Sequence, residues 1–291
     1  MTLLLSIQDF IKKLFQVIET LARVIFLTRF SVDVPAAKSK TCLILGNGPS
    51  LRADLKKYPS FLKDKDLICV NHFPSTDLYE QLKPAVYVTS APDLWLDDID
   101  DRFVSQSKAL FDTLAARTKW PLEFYIPFEA ARHARWLNQV KGNQHIAIKY
   151  YNNVPVEGWR WFKFLCFRRK LGMPRPHNVM IPSLMIALWK NYNSIYLLGT
   201  DHSWLREISV TDTNEVLINQ KHFYDEHESK SLPLDKRGKG KRNLPELLYK
   251  FMTAFASYFE IRDYATSRGS TIRNATRGSY IDAFDRISLT E

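Results

Sequence analysis

Residues 43–51 read Leu-Ile-Leu-Gly-Asn-Gly-Pro-Ser-Leu, and this run constrains the chain more than any other. An apolar strand that stops at a tight glycine turn and restarts at a helix-capping serine is the opening of a strand–helix unit. The same pattern predicts a buried strand over 41–46, with Ser50 capping a helix that begins near Leu51. Further apolar runs predict strands at 66–71, 85–89, 122–126, 145–149, 194–199 and 270–274, and helices at 181–192 and 244–259. Strands that are apolar throughout, alternating with helices, belong to a parallel sheet covered on both faces. The expected fold class is therefore α/β: a parallel sheet flanked by helices, with a lid region and an amphipathic helix at the N-terminus.

Composition narrows the class. At 45% apolar and 25% charged over 291 residues, a disordered or collagen-like chain is excluded. Lys and Arg exceed Asp and Glu by 41 to 31, a net charge of +10, which suits a phosphate-bearing partner. Charge alone leaves nucleic acid open, but no nucleic-acid motif accompanies it, so none is expected as a partner. Cys42, Cys69 and Cys166 are far apart and odd in number, which offers neither a disulfide framework nor a zinc ribbon and fits a reducing, cytoplasmic location.

Residues 1–32 stand apart from the rest. Leu3, Ile7, Phe10, Ile11, Leu14, Phe15, Ile18, Leu21, Val24 and Ile25 recur at helical spacing, while Asp9, Lys12, Lys13, Glu19 and Arg23 interrupt the run. This is neither a cleavable leader nor a clean membrane span. The helix would lie on the inner-membrane surface, pack on the body, or join a second subunit in a homo-oligomer. A polar linker at 31–40 follows, and the catalytic domain is expected over 41–291. Its polar stretch 205–243 reads as a mobile lid ending in the basic run Lys236 to Arg242. That run would meet phosphate or anionic lipid, or stay solvated.

In an open parallel sheet, ligands bind beyond the carboxyl ends of the strands. The residues placed there are Gly46, Asn47, Gly48 and Ser50 after the first strand, Asn71 and His72 after the second, Ser90 and Asp93 after the third, and Asp201, His202, Ser203 and Trp204 after the sixth. Backbone N–H groups of the glycine turn and carboxamides of Asn47 and Asn71 suit phosphate and sugar hydroxyls. Each residue alone is equally a turn or cap residue. His222 and His227 lack the i, i+4 spacing of a helical metal pair, so no metal site is expected. Asn274, Thr276, Arg277 and Ser279 either touch a ligand from the last loop or, for Ser279, cap a final helix.

The segments LILGNGPSLRADL, DLICVNHF, AVYVTSAPDLW and SIYLLGTDHSW, in that order, resemble the bacterial sialyltransferases built on a single Rossmann-like domain with a lid. The glycine turn is also similar to a wider family related to the archaeal hydroxymethylpterin diphosphokinase, found among surface-glycan genes. The resemblance covers roughly 41–100 and 178–285. It implies a metal-independent, inverting transfer from a CMP-activated acidic sugar, a nonulosonate or Kdo, to a glycan or glycolipid acceptor of a capsule or lipopolysaccharide, with no cofactor beyond that donor. It implies that Asn47, Asn71 and Ser90 contact the donor, that the lid histidine His222 is the base, and that Tyr224 steadies the leaving phosphate; His202, at the end of the sixth strand, is the alternative base. The family's tyrosine after Gly-x-Asp is Ser203 here, with Trp204 next, so that phosphate contact is missing. Two other readings stay open: an ATP-dependent diphosphokinase with Asp93 and Asp201 as acidic ligands, and a non-catalytic scaffold in glycan assembly.

Overall fold

The computed structural model describes residues 2–219, 221–224, 231–234 and 240–289. Its centre is an eight-stranded parallel sheet of β1 (Thr41–Leu45), β2 (Asp66–Val70), β3 (Val86–Val88), β4 (Leu122–Pro127), β5 (Ile146–Tyr151), β6 (Ser194–Leu198), β10 (Thr271–Asn274) and β11 (Asp285–Arg286). A separate three-stranded antiparallel sheet holds β7 (Ile208–Val210), β8 (Val216–Ile218) and β9 (Leu232–Pro233). The helices are α1 (Thr2–Leu27), α2 (Leu51–Lys57), α3 (Leu78–Leu82), α4 (Asp101–Arg117), α5 (Ala134–Val140), α6 (Arg160–Arg168), α7 (Met180–Trp189) and α8 (Leu244–Ser267).

The strand order is β11-β10-β6-β1-β2-β3-β4-β5. From β1 the chain winds outward to β5, then crosses back to lay β6 on the other side of β1. The switch point of this doubly wound, Rossmann-like sheet is therefore the crevice between the ends of β1 and β6. Alternate residues of each strand feed two cores. Cys42 and Ile44 of β1, Ile68 and Val70 of β2, and Ile195 and Leu197 of β6 pack with α6, α7 and α8. Leu43, Leu45, Leu67, Cys69 and Phe124 pack on the other face with α2, α3, α4 and α5. Burial on both faces is why these strands carry no polar alternation. All three cysteines are free and buried.

The structure differs from the sequence reading in three places. The described part of 205–243 is not a plain loop: Ile218 of β8 joins Leu247 and Phe251 of α8 in a small core of its own. The basic residues Lys236, Arg237 and Lys239 lie outside the described residues, as do Asp225, Glu226 and His227. No helix follows Ser279 among the described residues. Its hydroxyl instead donates to the Thr200 carbonyl at 2.6 Å and accepts from Asn274 Nδ2 and the Ile281 N–H. Thr276 Oγ1 receives the Thr200 N–H at 3.0 Å, so this hydroxyl-rich turn is spent on fastening the end of β6. Residues 31–40 are bound along the body: Val34 is buried, and Ala37 donates its N–H to the Lys190 carbonyl at 2.9 Å. Lys190, itself 3% exposed, pairs with Glu123 at 2.7 Å and donates to the Pro35 carbonyl.

The glycine turn meets β6 at van der Waals limits. The N–H groups of Gly46 and Gly48 donate to the carbonyls of Leu198 and Gly199, both at 2.8 Å. A Cβ on Gly48 would sit 1.9 Å from Asp201 Oδ2 and 2.7 Å from the Gly199 oxygen. Gly199 takes φ +66°, and a Cβ there would lie 2.7 Å from the Leu51 Cβ. Gly48→Ala is expected to lower stability by about 3 kcal/mol, read by urea unfolding, because the Asp201 side chain could shift but the backbone oxygen of Gly199 at 2.7 Å could not.

Candidate functional site

A cleft of about 1330 Å³ opens at the switch point. Gly46, Asn47, Gly48, Asn71, Ser90, Asp93, Asp201, His202, Ser203, Trp204 and His222 all line it. Asn47 and Asn71, on neighbouring strand ends, face the same space. Asn47 Nδ2 donates to the Val70 carbonyl at 3.1 Å, which tethers the turn to β2. Its Oδ1 is buried and has no hydrogen-bond partner among the described residues. Asn71 takes φ +48°, a left-handed conformation that asparagine tolerates. Its N–H continues the ladder to the Val88 carbonyl at 3.1 Å, and its own carbonyl accepts from Tyr87 at 2.7 Å. Asn71 Oδ1 is likewise buried and unpartnered among the described residues. Two carboxamide oxygens are thus held by their backbones and left as acceptors.

The turn's other polar groups are used internally. With Gly46 and Gly48 bonded to β6, those two N–H groups are withheld from a ligand. Ser50 does not line the cleft; its hydroxyl donates to Asp201 Oδ2 at 2.9 Å. Asp201 thereby occupies the start of α2, and burial raises its pKa despite that bond. Among the described residues, no group of three or more His, Cys, Asp or Glu side chains is arranged to hold a metal ion.

Segment 221–224 folds over the turn. The Phe223 N–H donates to the Asn47 carbonyl at 3.1 Å, and the Phe223 ring packs on Phe73 and beneath Arg52. This places His222 at the cleft, with its ring stacked on Tyr224 at 5.0 Å and nearly parallel. Tyr224 itself packs against the core on the α2 side rather than lining the cleft. His72, a strand-end candidate of the sequence, does not line the cleft but lies close enough to feel Asp93 and His222. Burial lowers its pKa, a charge on His222 lowers it further, and Asp93 opposes both. The two candidate bases therefore differ. His202 is buried, bonds Tyr258 through Nε2 at 2.6 Å and stacks on Trp204 at 4.1 Å, and burial pushes its pKa down to about 3. Trp204 also stacks on Phe251 at 5.3 Å, so its ring belongs to the small α8 core as much as to the cleft.

Sequence reasoning placed Arg242 in a basic run that would meet phosphate, and missed the rest of the far wall. Asn153 beyond β5, His177 and Asn178 before α7, and Arg242, Tyr249 and Lys250 around the start of α8 line the same cleft. Asn153 Oδ1, His177 Nε2, Asn178 Nδ2 and Arg242 Nε are buried without a partner among the described residues. Burial lowers the His177 pKa to about 4, assisted by the positive charges of Arg175, Lys250 and Arg242. The available signal was a polar pair, His177-Asn178, directly before a wholly apolar helix. Asn243 and Glu246 form a capping box that fixes the start of α8, and with it the position of Arg242 and Lys250.

Fold and site together define a doubly wound α/β protein with a polar cleft at its switch point. No family model matches the chain, and no curated protein matches it. Among solved structures, the MAf glycosyltransferase from Magnetospirillum magneticum AMB-1 is similar at 11% identity with a TM-score of 0.49. That alignment covers 90% of this chain and 36% of that one, so the chain spans little more than a third of that protein.

His177 and His202 titrate below the unfolded histidine value of about 6.5. As pH falls the unfolded chain takes up protons first, so their contribution to stability is present above about pH 6.5 and is lost toward pH 3–4. His202→Asn keeps the left-handed backbone at this position and removes the titrating ring. Urea unfolding across that window is expected to show a shallower loss than wild type, by up to about 1.4 kcal/mol per pH unit.

Proposed function

We propose that this chain is a glycosyltransferase that takes its sugar from a CMP-activated acidic donor, a nonulosonate or Kdo. It passes that sugar to a glycan or glycolipid acceptor of a bacterial capsule or lipopolysaccharide. The observation that carries this reading is the pair of buried, unpartnered carboxamide oxygens of Asn47 and Asn71 on adjacent strand ends at the switch point. An unfilled buried acceptor costs about 1–3 kcal/mol, and the amino group of cytosine and the ribose hydroxyls are the donors that would fill it. The resemblance in the strand-end segments supports the choice of a cytidylate over other nucleotides.

The acceptor hydroxyl attacks the anomeric carbon from the face opposite CMP. The new C–O bond forms as the bond to the phosphate oxygen breaks, and the configuration inverts. His222 takes the hydroxyl proton, and CMP leaves with the electron pair. His202 is a poor choice for that base, since its Nε2 is engaged by Tyr258 and burial weakens its basicity. Charge on the departing phosphate is offset by cations of the cleft, Lys221 and Arg242. No metal is required by this route.

Thermal denaturation with CMP, CDP, UDP, GDP and ATP, each with and without Mg²⁺, tests the reading. CMP without metal is expected to raise the midpoint, by about 2.7 kcal/mol of stabilisation at a hundredfold excess over Kd. Asn47→Ala should abolish that response while costing about 1 kcal/mol of intrinsic stability, for the lost bond to Val70. A response to ATP with Mg²⁺ alone would point to the diphosphokinase, and none at all to the scaffold. His222→Gln is expected to retain CMP binding and to slow transfer roughly hundred- to ten-thousandfold in a donor-turnover assay.

A further inference from the structure

α1 is seated on the body by one side only. Thr20 and Val24 are buried, Val17 packs against the core on the α6 side, and Phe10 meets Trp159 at 5.3 Å. The Glu157 N–H donates to Thr20 Oγ1 at 3.0 Å, and Asn152 clasps the backbone N–H and carbonyl of Arg29 just beyond the helix. The opposite side is apolar and bare. Ile7, Ile11, Leu14, Ile18, Leu21 and Ile25 are exposed along it. Phe10, Phe15 and Phe26 broaden it to an arc of roughly 160°, taking about 100° per residue. Two residues past Trp159, Trp161 and Leu165 stand four apart on one exposed face of α6, with Trp161 65% exposed. No helix among the described residues is long and apolar enough to cross a membrane.

The charges around this face are one-sided. Its acidic residues are already answered: Asp9 by Lys13, Glu19 by Arg23, and Glu157 by Arg23 and Arg175. Lys12, Arg29, Arg160, Arg168 and Arg169 are exposed and have no carboxylate partner among the described residues. We infer that α1 and the exposed face of α6 together form a docking surface for an anionic lipid bilayer, with the apolar arc in the acyl boundary and these cations at the headgroups. A wide apolar face, an exposed tryptophan beside it and uncompensated cations are what such an interface selects. A second copy of the chain fits less well. The spacing of the isoleucines and leucines matches a coiled-coil seam, but the flanking positions hold Phe10, Phe15, Val17, Ala22 and Val24, with no charges to set a partner. Two copies would also bring two sets of unpaired cations together.

The test uses the full chain with no nucleotide, so its result is independent of the transfer reaction. The chain is expected to co-sediment with vesicles of phosphatidylcholine and phosphatidylglycerol, and not with phosphatidylcholine alone. Ile18→Glu should stay in the supernatant with an unchanged melting midpoint, since Ile18 touches solvent rather than the core. Arg168→Gln should weaken partitioning about fivefold. The blue shift of tryptophan emission on binding should shrink in Trp161→Phe. Failure to sediment with the anionic vesicles overturns the proposal, as does equal binding to both vesicle types. A wild-type dimer by sedimentation equilibrium that Ile18→Glu converts to monomer overturns it too, and assigns the face to a second copy.

Discussion

The contact between the glycine turn after β1 and the end of β6 is the constraint on which the rest depends. Two 2.8 Å hydrogen bonds and the absence of Cβ atoms at Gly46, Gly48 and Gly199 let two neighbouring strands end in register with no room for anything between them. Because the chain reverses its winding here, α2 leaves on one side and the segment after Gly199 on the other. The cleft exists because these two exits diverge. Asp201 then fills the one place, the start of α2, where a bare glycine turn would have offered backbone amides. What remains for a ligand is side-chain chemistry.

That chemistry is organised by tethers rather than by proximity alone. Asn47 is held through Nδ2 by Val70, and Asn71 through its backbone by Val88 and Tyr87, so both carboxamide oxygens are fixed before any ligand arrives. Preorganised acceptors of this kind lose little entropy on binding. Segment 221–224 is pinned to the same turn through Phe223, which carries His222 to the rim with its ring stacked on a core-packed Tyr224. The opposite wall is cationic, and His177 is kept neutral there by burial and by like charges. The carboxamide acceptors of Asn47 and Asn71 thus face a wall that carries Arg242 and Lys250, an arrangement suited to a molecule with a polar base at one end and acidic groups at the other.

Much of the sheet was legible because apolar runs of five or six residues ended at Gly, Asn or Pro are hard to place anywhere but in a buried parallel strand. The strand-end residues were legible for the same reason: once the strands are set, their exits are set. Most of the far wall was not, since Asn153 and His177 sit in segments of no repeating pattern and meet Arg242, legible only as part of a basic run, when β5, α7 and α8 have packed. Residues 205–219 read as loop because strands of two or three residues carry too little alternation to stand out. Ser279 read as a cap because its true partners, Thr200 and Asn274, are respectively 79 and 5 residues away.

The sequence by itself determined the α/β class, the two-sided burial of the strands, the glycine turn and the amphipathic character of the first helix, all of which follow from local spacing and composition. Only the tertiary structure decided that Asp201 takes the Ser50 hydroxyl beside the start of α2, that His202 is locked on Tyr258 while His222 reaches the cleft, and that the bare face of α1 points away from the body beside Trp161. These outcomes depend on contacts between residues far apart in the chain. Local pattern records which side chains seek burial or charge, but not which distant partner satisfies them.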